Sequence, residues 1–528
     1  MDRKFLLIII LSVVLFSANL SGISIYILDE AKNSTAAREM LEGNHIVPTF
    51  NYELRTDKPP LHYYFMMLGY SWFGVNEFGA RFFSAFFGIA LVLVTFLFTR
   101  RFMNKETAFW SALVLLSSIQ VIIQFHMAVP DPYLIFFFAL TLFFAYAFYV
   151  EGKNFWIYLA YVSISLAVLS KGPVALLLAG ATWLMFLLCR KDLSFKTLAS
   201  FRIPEGLLIM ILLIVPWYLA VHIQTGGAWT TGFFLKHNME RFTAPMEGHG
   251  GSFLLIPLYV IIGLFPFSLF IIQATRNFWK NKQDGFLTLA AITSGVIILF
   301  FSVSSTKLPS YPAPSFPFVA VLIGFFLSEK VKSFQKNILW TYGVYFIIAL
   351  AIPVTVYIVL EDVLILPEIK NMAYWFILLP IGAVVAISFF LRKYPKQAFL
   401  SISASWMITT VCFFYIVFPS IDKRNPVSRA MPVIKSTDTI YYYEKYNPAF
   451  SFYIHKKIHL LTEEVITTNK NKSTVVLSMQ RDLSGLAPLQ ANYQIIQTHR
   501  EFFEPYFSSV LYENADKISS NETRETNP

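Results

Sequence analysis

The segment FFSAFFGIALVLVTFLFT, from Phe82 to Thr99, contains no charged residue and is bounded by Arg81 and Arg100. A helix of about 20 apolar residues is long enough to cross the hydrocarbon core of a bilayer, which is about 30 Å thick. Basic residues are typical of the ends of such helices, where the side chains reach the polar interface. The segment therefore predicts a transmembrane helix.

Similar apolar runs recur along the 528-residue chain, in which 56% of residues are hydrophobic and only 14% are charged. A soluble protein of average composition carries roughly 25% charged residues. The runs begin at about Phe5, Phe82, Thr107, Pro132, Phe155, Pro173, Leu207, Ser252, Phe286, Pro312, Ile338, Ala373 and Ala398. By the length rule they are about thirteen candidate spans, so the fold class is an all-α polytopic membrane protein.

Lysine and arginine residues fall in alternate connections between these runs, and basic loops are typical of the cytoplasmic side. The basic connections are Arg100 to Lys105, Lys153, Arg190 to Arg202, Arg276 to Lys282, Lys330 to Lys336, and Arg392 to Lys396. If the N-terminus is cytoplasmic, the odd number of spans places the C-terminal region in the periplasm of a bacterial inner membrane. The net charge of +10 is spread over these loops, which argues against nucleic-acid binding.

The first apolar run allows two interpretations. Its short basic start and the small residues near Ser17 resemble a signal peptide. However, the run continues to Leu28, which is longer than the core of a usual signal peptide, and the charge alternation needs it as a span. We therefore expect a retained helix.

Two predicted outer loops are long and rich in charged or aromatic residues. The first, 28–81, predicts two juxtamembrane helices, one over Asn33–Leu41 that ends at Gly43 and one that starts at Pro59–Pro60. The second, 225–251, is rich in glycine. Together with the spans, these loops form a predicted membrane domain over residues 1–419.

The composition becomes that of a soluble protein after Pro419. Runs rich in β-branched and aromatic residues predict strands at Thr439–Tyr443, Thr474–Ser478 and Tyr493–Thr498. We expect a small extracytoplasmic α/β domain over residues 420–515. The polar residues 516–528 predict a disordered tail.

Several charged residues are predicted to lie at one level, near the outer membrane interface. Charges at membrane depth are costly unless they are paired or face water, so their convergence predicts a polar cavity. Lysines there suit a phosphate, and carboxylates suit proton transfer or recognition of sugar hydroxyls. The residues are Asp29, Glu30, Asp57, Lys58, Asp131, Lys171 and Lys307. The set fits a phosphate-linked sugar whose lipid tail stays in the bilayer.

Each residue alone also has a simpler interpretation. Asp29 and Glu30 suit the start of a helix, and Asp131 before Pro132 suits a helix cap. An interfacial lysine such as Lys58 commonly extends its amine to water, and Lys171 fits an ordinary outer loop.

The second outer loop holds His237, Arg241 and His249. His237 and Arg241 are four positions apart, as on a solvated helix face. Two isolated histidines are weak support for a metal, so no metal site is predicted.

Seven short motifs, in their order and spacing, resemble the bacterial GT-C glycosyltransferases related to protein O-mannosyltransferases and to lipid A aminoarabinose transferase. The motifs are LDEAKNSTAAREM, DKPPLHYY, FGARFFSAFFG, PDPYL, SKGP, LKHNMERF and KLPSYPAPSFP. The resemblance covers about Met1 to Pro419. It implies a helical membrane core, two juxtamembrane helices and a variable outer C-terminal domain.

The resemblance also implies a polyprenyl-phosphate monosaccharide as donor and assigns roles to residues. The essential aspartate falls on Asp29, with Glu30 as its neighbour. The acidic residue before Lys-Pro falls on Asp57, and the phosphate-binding cations fall on Lys58 and Arg241. Tyr63, Tyr311, His237 and Asp131 lie in or beside the motifs and are further candidates.

The DKPP segment departs from both subgroups. Aminoarabinose transferases usually have Glu-Lys-Pro where this chain has Asp57-Lys58-Pro59, and protein mannosyltransferases usually have histidine at the position of Lys58. The acceptor is therefore open between a lipid A-like lipid and a protein or glycan.

The predicted reaction is a single displacement at the anomeric carbon, which inverts its configuration. It requires no cofactor, and a divalent metal is possible but not expected, because the leaving group carries one phosphate. One alternative is a flippase or transporter of a lipid-linked sugar, which would also need a polar cavity. Another is a non-catalytic assembly protein that works through its C-terminal domain.

Overall fold

The computed structural model describes residues 2–235, 250–334, 336–434, 439–462, 474–481, 493–504 and 507–514. Most of these residues are helical. The α-helices are Arg3–Phe16, Leu28–Glu42, Leu61–Phe73, Glu77–Phe102, Lys105–Leu116, Ile119–His126, Asp131–Glu151, Asn154–Lys171, Val174–Cys189, Phe195–Ser200, Ile203–Gln224, Ala228–Thr231, Leu255–Gly263, Ile271–Lys280, Gly285–Val303, Phe316–Lys332, Leu339–Ile358, Leu378–Leu391, Pro395–Cys412, Phe418–Asp422, Pro426–Ile434 and Ala449–Ile454. The predicted tail, 516–528, lies outside the described residues.

Within the described ranges, nine helical segments are long and apolar enough to cross a membrane, and up to eleven if two bent pairs each count as one span. The pairs are Lys105–Leu116 with Ile119–His126, bent by 65°, and Leu255–Gly263 with Phe267–Lys280, bent by 116°. The other two predicted runs form shorter helices, Arg3–Phe16 and Val174–Cys189. Each predicted run therefore falls on a helix, and the polytopic helical fold class is confirmed.

The first helix is shorter than the sequence indicated, and the expectation that it continues to Leu28 was wrong. It ends at Phe16, and residues 17–27 form a series of turns. Asn19 adopts a left-handed conformation with φ of 51°, which asparagine tolerates better than most residues. Its side-chain amide donates to the carbonyl of Phe414 at 2.7 Å. This anchored turn directs the chain into the first outer loop.

The first outer loop contains two helices, Leu28–Glu42 and Leu61–Phe73, joined by a two-stranded hairpin of β1 (Thr49–Phe50) and β2 (Glu53–Leu54). The Leu28–Glu42 helix ends at its cap residue Gly43, as predicted, but it begins five residues before Asn33. Asp29 and Glu30 consequently lie in its first turn, where carboxylates interact favourably with the helix dipole.

Aromatic side chains hold the Leu61–Phe73 helix against the membrane domain. The Phe65 ring centroid lies 5.0 Å from that of Phe83, 5.1 Å from Phe87 and 5.4 Å from Tyr133. Each such pair contributes about 0.5–1.5 kcal/mol beyond the burial of its surface. This packing fixes the helix that directly follows Asp57 and Lys58.

The C-terminal region forms a five-stranded mixed sheet in the order β4-β3-β5-β7-β6, and the predicted small α/β domain is confirmed. Strand β3 is parallel to β4 and β5, whereas β7 is antiparallel to β5 and β6. The strands are β3 (Thr439–Tyr443), β4 (His459–Leu460), β5 (Thr474–Gln480), β6 (Tyr493–Arg500) and β7 (Ser508–Asn514).

The C-terminal domain covers the Leu28–Glu42 helix, which is buried along most of its length. The Arg38 guanidinium donates to the carbonyl of Ser451 at 3.2 Å. The Asn51 side chain donates to the carbonyl of Ile458 at 2.8 Å and accepts from the Ile458 amide at 2.9 Å. The first outer loop is therefore held between the membrane domain and the C-terminal domain.

Candidate active site

Asp29 lies in the first turn of the Leu28–Glu42 helix, and the half-exposed space beside its carboxylate, bordered by Arg55 and Asp57, is called the recess below. About half of its side-chain surface, 54%, is exposed. Burial by the surrounding protein acts to raise the pKa of its carboxyl, but the positive charges of Lys58, Arg55 and Lys171 outweigh this effect and hold the pKa below its ordinary value. The recess thus presents an ionised, accessible carboxylate surrounded by cations.

Arg55 is the centre of this cluster, and sequence reasoning missed it. Only 5% of its side chain is exposed. Its guanidinium lies 3.9 Å from the Asp29 carboxylate and 3.3 Å from that of Asp57. The signal in the sequence was the segment RTDK, where three of four residues between the predicted helices are charged. Arg55 therefore connects two of the predicted acidic residues.

Asn33 anchors Arg55 and the start of the second juxtamembrane helix. Its side-chain oxygen accepts from the Arg55 guanidinium at 3.2 Å, lies 3.3 Å from His62 Nε2, and accepts from the Tyr63 hydroxyl at 3.4 Å. Burial and the nearby charges of Arg55 and Lys58 hold the pKa of His62 well below its ordinary range. The imidazole is therefore neutral at physiological pH, and Tyr63 lies behind the recess rather than at its surface.

The backbone of Arg55 is also fixed from the second outer loop. The indole of Trp229 donates to the Arg55 carbonyl at 2.9 Å, and Trp229 is fully buried. Trp229 belongs to the short helix Ala228–Thr231, at the start of the segment in which Arg241 and His237 were predicted. Arg241 and His237 lie outside the described residues.

Lys171 and Asp131 form a close ion pair, with 2.6 Å between the amine and the carboxylate. Asp131 is the first residue of its helix, one position after the cap residue Pro130, and its carboxylate is paired with Lys171. The Lys171 amine also lies 5.7 Å from the centre of the Tyr311 ring. Lys171 is also one of the positive charges that lower the pKa of Asp29, so the pair lies within electrostatic reach of that carboxylate.

Lys307 lies in the loop that carries Tyr311. Its side chain is buried, and its amine donates to the carbonyl of Ser304 at 2.7 Å. The KLPSYPAP segment thus brings the Tyr311 ring to Lys171 and carries the buried Lys307 four positions earlier. A contact between Lys307 and phosphate remains a prediction.

Glu30 is buried, and its contacts indicate a structural role instead of the predicted catalytic one. Its carboxylate receives two hydrogen bonds from Arg81, at 2.7 and 2.8 Å, and one from the Ala128 amide at 2.8 Å. Arg81 also donates to the carbonyls of Leu20, Ile23 and Ser24. The pair therefore fastens the turns before Asp29 to the following transmembrane helix.

An apolar cavity lies on the Glu30 side of the Leu28–Glu42 helix. Its volume is about 160 Å³. Its walls include Ile123, Phe413 and Phe418 from the membrane domain and Phe503 from the C-terminal domain. In the described part of the chain, no group of three or more histidine, cysteine or acidic side chains is arranged to hold a metal ion.

Residues 8–231 match the model of the dolichyl-phosphate-mannose-protein mannosyltransferase family. A protein of Aquifex aeolicus without an assigned activity is 30% identical over 355 residues, which are 65% of this chain and 80% of that protein. An undecaprenyl phosphate-alpha-4-amino-4-deoxy-L-arabinose arabinosyl transferase of Pseudomonas fluorescens is 29% identical over 353 residues, which are 65% of this chain and 63% of that protein.

The crystal structure of ArnT from Cupriavidus metallidurans bound to undecaprenyl phosphate has the same fold. The TM-score is 0.80 over 97% of this chain and 98% of ArnT, at 18% sequence identity. The fold and the sequence relatives therefore agree with the resemblance carried by the motifs. This chain is a membrane-embedded glycosyltransferase and belongs to the GT-C group that includes ArnT and the protein mannosyltransferases.

Proposed function

We propose that the enzyme transfers a monosaccharide from a polyprenyl-phosphate donor to an acceptor on the periplasmic face of the bacterial inner membrane. The observation that carries this proposal is the half-exposed Asp29 carboxylate, which lies 3.9 Å from the Arg55 guanidinium and is also acted on by the positive charges of Lys58 and Lys171. Cations of this kind suit the phosphate of the donor. The undecaprenyl phosphate in the names of the Pseudomonas relative and of the Cupriavidus structure supports the same donor class.

In the proposed reaction, an acceptor oxygen forms a bond to the anomeric carbon while the bond from that carbon to the phosphate oxygen breaks. The bonding electrons move to the phosphate, and the developing charge is stabilised by Lys58 together with Arg241. If the acceptor is a hydroxyl, Asp29 receives its proton. If it is an ionised phosphate, no base is needed and Asp29 orients the acceptor. A single displacement inverts the anomeric centre and calls for no divalent metal.

A lipid is the acceptor class that the structure favours. The apolar cavity beside Glu30 adjoins the helix that carries Asp29, and its walls are largely aromatic and aliphatic. An alkyl chain gains about 0.8 kcal/mol for each buried CH₂ group, whereas a polar peptide would leave backbone groups without partners. A lipid A-like acceptor could place a chain there while its head group reaches the recess.

The acceptor can be identified by mass spectrometry of lipid A and of surface glycoproteins from a deletion strain. We expect one sugar mass to disappear from the lipid and to return with the wild-type gene but not with Asp29→Asn. A sugar lost from glycoproteins instead would make a protein the acceptor. If neither the lipid A nor the surface glycoproteins lost a sugar in the deletion strain, the proposal would be overturned.

Transfer by the purified protein separates the enzyme from a flippase of the donor. In detergent no membrane has to be crossed, so a flippase would produce no new glycosidic bond. We expect the wild-type protein to convert added polyprenyl-phosphate sugar and lipid acceptor into glycosylated lipid, and Asp29→Asn to produce none.

A further inference from the structure

The segment that immediately precedes Asp29 has no regular secondary structure. Residues 17–27 form turns and extended backbone between the helices Arg3–Phe16 and Leu28–Glu42. Its position is therefore set by contacts with other parts of the chain rather than by helical hydrogen bonds. Its membrane-side contacts include those of Arg81 and of Asn19, described above.

The C-terminal domain holds the other side of this segment, through Tyr26. The Tyr26 hydroxyl donates to the Glu501 carboxylate and accepts from the Phe502 amide at 3.1 Å. Both side chains are buried, with 4% of Tyr26 and 2% of Glu501 exposed. The Tyr26 ring also contacts the rings of Phe502 and Phe503. Tyr26 is thus embedded in the C-terminal domain three positions before Asp29.

Glu501 is itself fixed within the sheet domain. Its carboxylate accepts from the Asn447 side chain at 2.9 Å and from the hydroxyl of Ser509, a residue of strand β7. Ser509 and Asn447 are both buried. A carboxylate that receives hydrogen bonds from three side chains has a defined position, so Tyr26 is tied to the body of the domain rather than to a loose loop.

Two further contacts attach the same segment. The Ile25 amide donates to the hydroxyl of Tyr453 at 2.7 Å. The Ser24 amide and hydroxyl donate to the Asp422 carboxylate at 2.8 and 2.5 Å. The three consecutive residues Ser24, Ile25 and Tyr26 are therefore bonded to the end of the last span and to the C-terminal domain, 398 to 476 positions further along the chain.

We infer that Tyr26 and Glu501 are positioning residues for the transfer reaction, because they fix the segment that sets the place of Asp29 in the recess. This assignment rests on the proposed function of Asp29. It makes the C-terminal domain a part of the catalytic unit and not a separate binding module. A displacement of about 1 Å at a reacting group can lower a rate by about 10²-fold.

The inference can be tested with Tyr26→Phe and Glu501→Gln in the full-length protein. We expect kcat to fall by about 10- to 100-fold, with the KM for the donor changed less than kcat, because the phosphate-binding cations are untouched. Tyr446→Phe is the matched control. It removes a tyrosine hydrogen bond of 2.7 Å, to Ser451, within the same domain, and among the described residues Tyr446 makes no hydrogen bond to residues 24–26.

Hydrogen exchange supplies a measurement that does not depend on transfer. In both variants, amides of residues 24–30 should exchange faster than in the wild-type protein, whereas Tyr446→Phe should leave them unchanged. A wild-type kcat in Tyr26→Phe, or unchanged exchange in residues 24–30, would overturn the inference. If the wild-type protein showed no transfer at all, the proposed function would fail while the exchange result still decided whether the domain positions the segment.

Discussion

Replacement of Lys58 by alanine should lower the rate of sugar transfer by about 10²- to 10³-fold and leave the fold intact. Among the positive charges around Asp29, that of Lys58 lowers the pKa of the carboxyl most. Two unit charges 4 Å apart interact by about 4 kcal/mol at an effective dielectric constant of 20. Solvent access and the partial charge of a breaking bond reduce this value to about 2.7–4 kcal/mol, the range measured for single electrostatic contacts in active sites.

The assay should measure transfer under donor-limited conditions, in membranes with matched amounts of protein. Lys58→Arg should also lose much of its activity, because a planar, longer guanidinium does not replace a compact ammonium at a fixed distance. Lys457→Ala is a suitable control. Lys457 is exposed and lies 3.7 Å from Glu53 in the same outer loop, where an exposed pair contributes at most about 1 kcal/mol.

A Lys58→Ala variant that kept most of its activity would refute the assignment of Lys58 as the phosphate ligand. A lysine that only extends its amine to water at the interface would tolerate both substitutions. The phosphate site would then have to be placed around Arg55, Lys171 and Lys307. A variant that failed to reach the membrane would be uninformative about rate, so insertion has to be measured in the same samples.

Three further outcomes are expected. Asp29→Asn should abolish transfer while the protein still inserts, as measured in membranes at matched protein levels; near-normal activity would leave only a role at the helix start. Arg81→Ala should lower the free energy of unfolding in detergent by about 3–5 kcal/mol, because it removes the cation paired with the buried Glu30 carboxylate. An unchanged midpoint of thermal unfolding would contradict the pairing. Alkaline phosphatase fused after Ser420 should be active and after Lys196 inactive, and the reverse would overturn the predicted topology.

Much of the fold could be predicted because its signals are local. The thickness of the bilayer sets the length of a spanning helix, so the length of an apolar run predicts a span without knowledge of the neighbouring helices. The predicted strands Thr439–Tyr443, Thr474–Ser478 and Tyr493–Thr498 fall on β3, β5 and β6 for the same reason, since β-branched and aromatic residues carry the preference themselves. Strands β4 and β7 were missed, and the two-residue length of β4 gives no recognisable pattern.

Helix boundaries were less predictable where distant contacts decide them. The sequence placed the start of the first juxtamembrane helix at Asn33, because asparagine is a good cap. In the structure, Asn33 is one turn inside the helix and its side chain binds Arg55 instead. The start at Leu28 follows from the anchoring of residues 24–26, which depends on the C-terminal domain and cannot be seen locally.

The candidate site shows the same contrast between residues that the sequence reveals locally and partners that only the folded structure reveals. A charge at membrane depth is conspicuous in an apolar sequence, so Asp29, Lys58, Asp131 and Lys171 could be selected without knowledge of their partners. The partners themselves depend on folding: Glu30 resembled a second catalytic carboxylate until the structure placed it against Arg81, 51 positions away.

Arg55 shows why the recess cannot be described by its predicted residues alone. A single cation between Asp29 and Asp57 reduces the repulsion between two carboxylates in a partly enclosed space. Its own burial is compensated by these charges and by Asn33, so its guanidinium is held in place before any substrate arrives. Lys58, next to Asp57 in the chain, adds a further positive charge that acts on Asp29, so the two carboxylates share the site with more than one cation. These positive charges explain why a site for a negatively charged lipid phosphate can contain two aspartates.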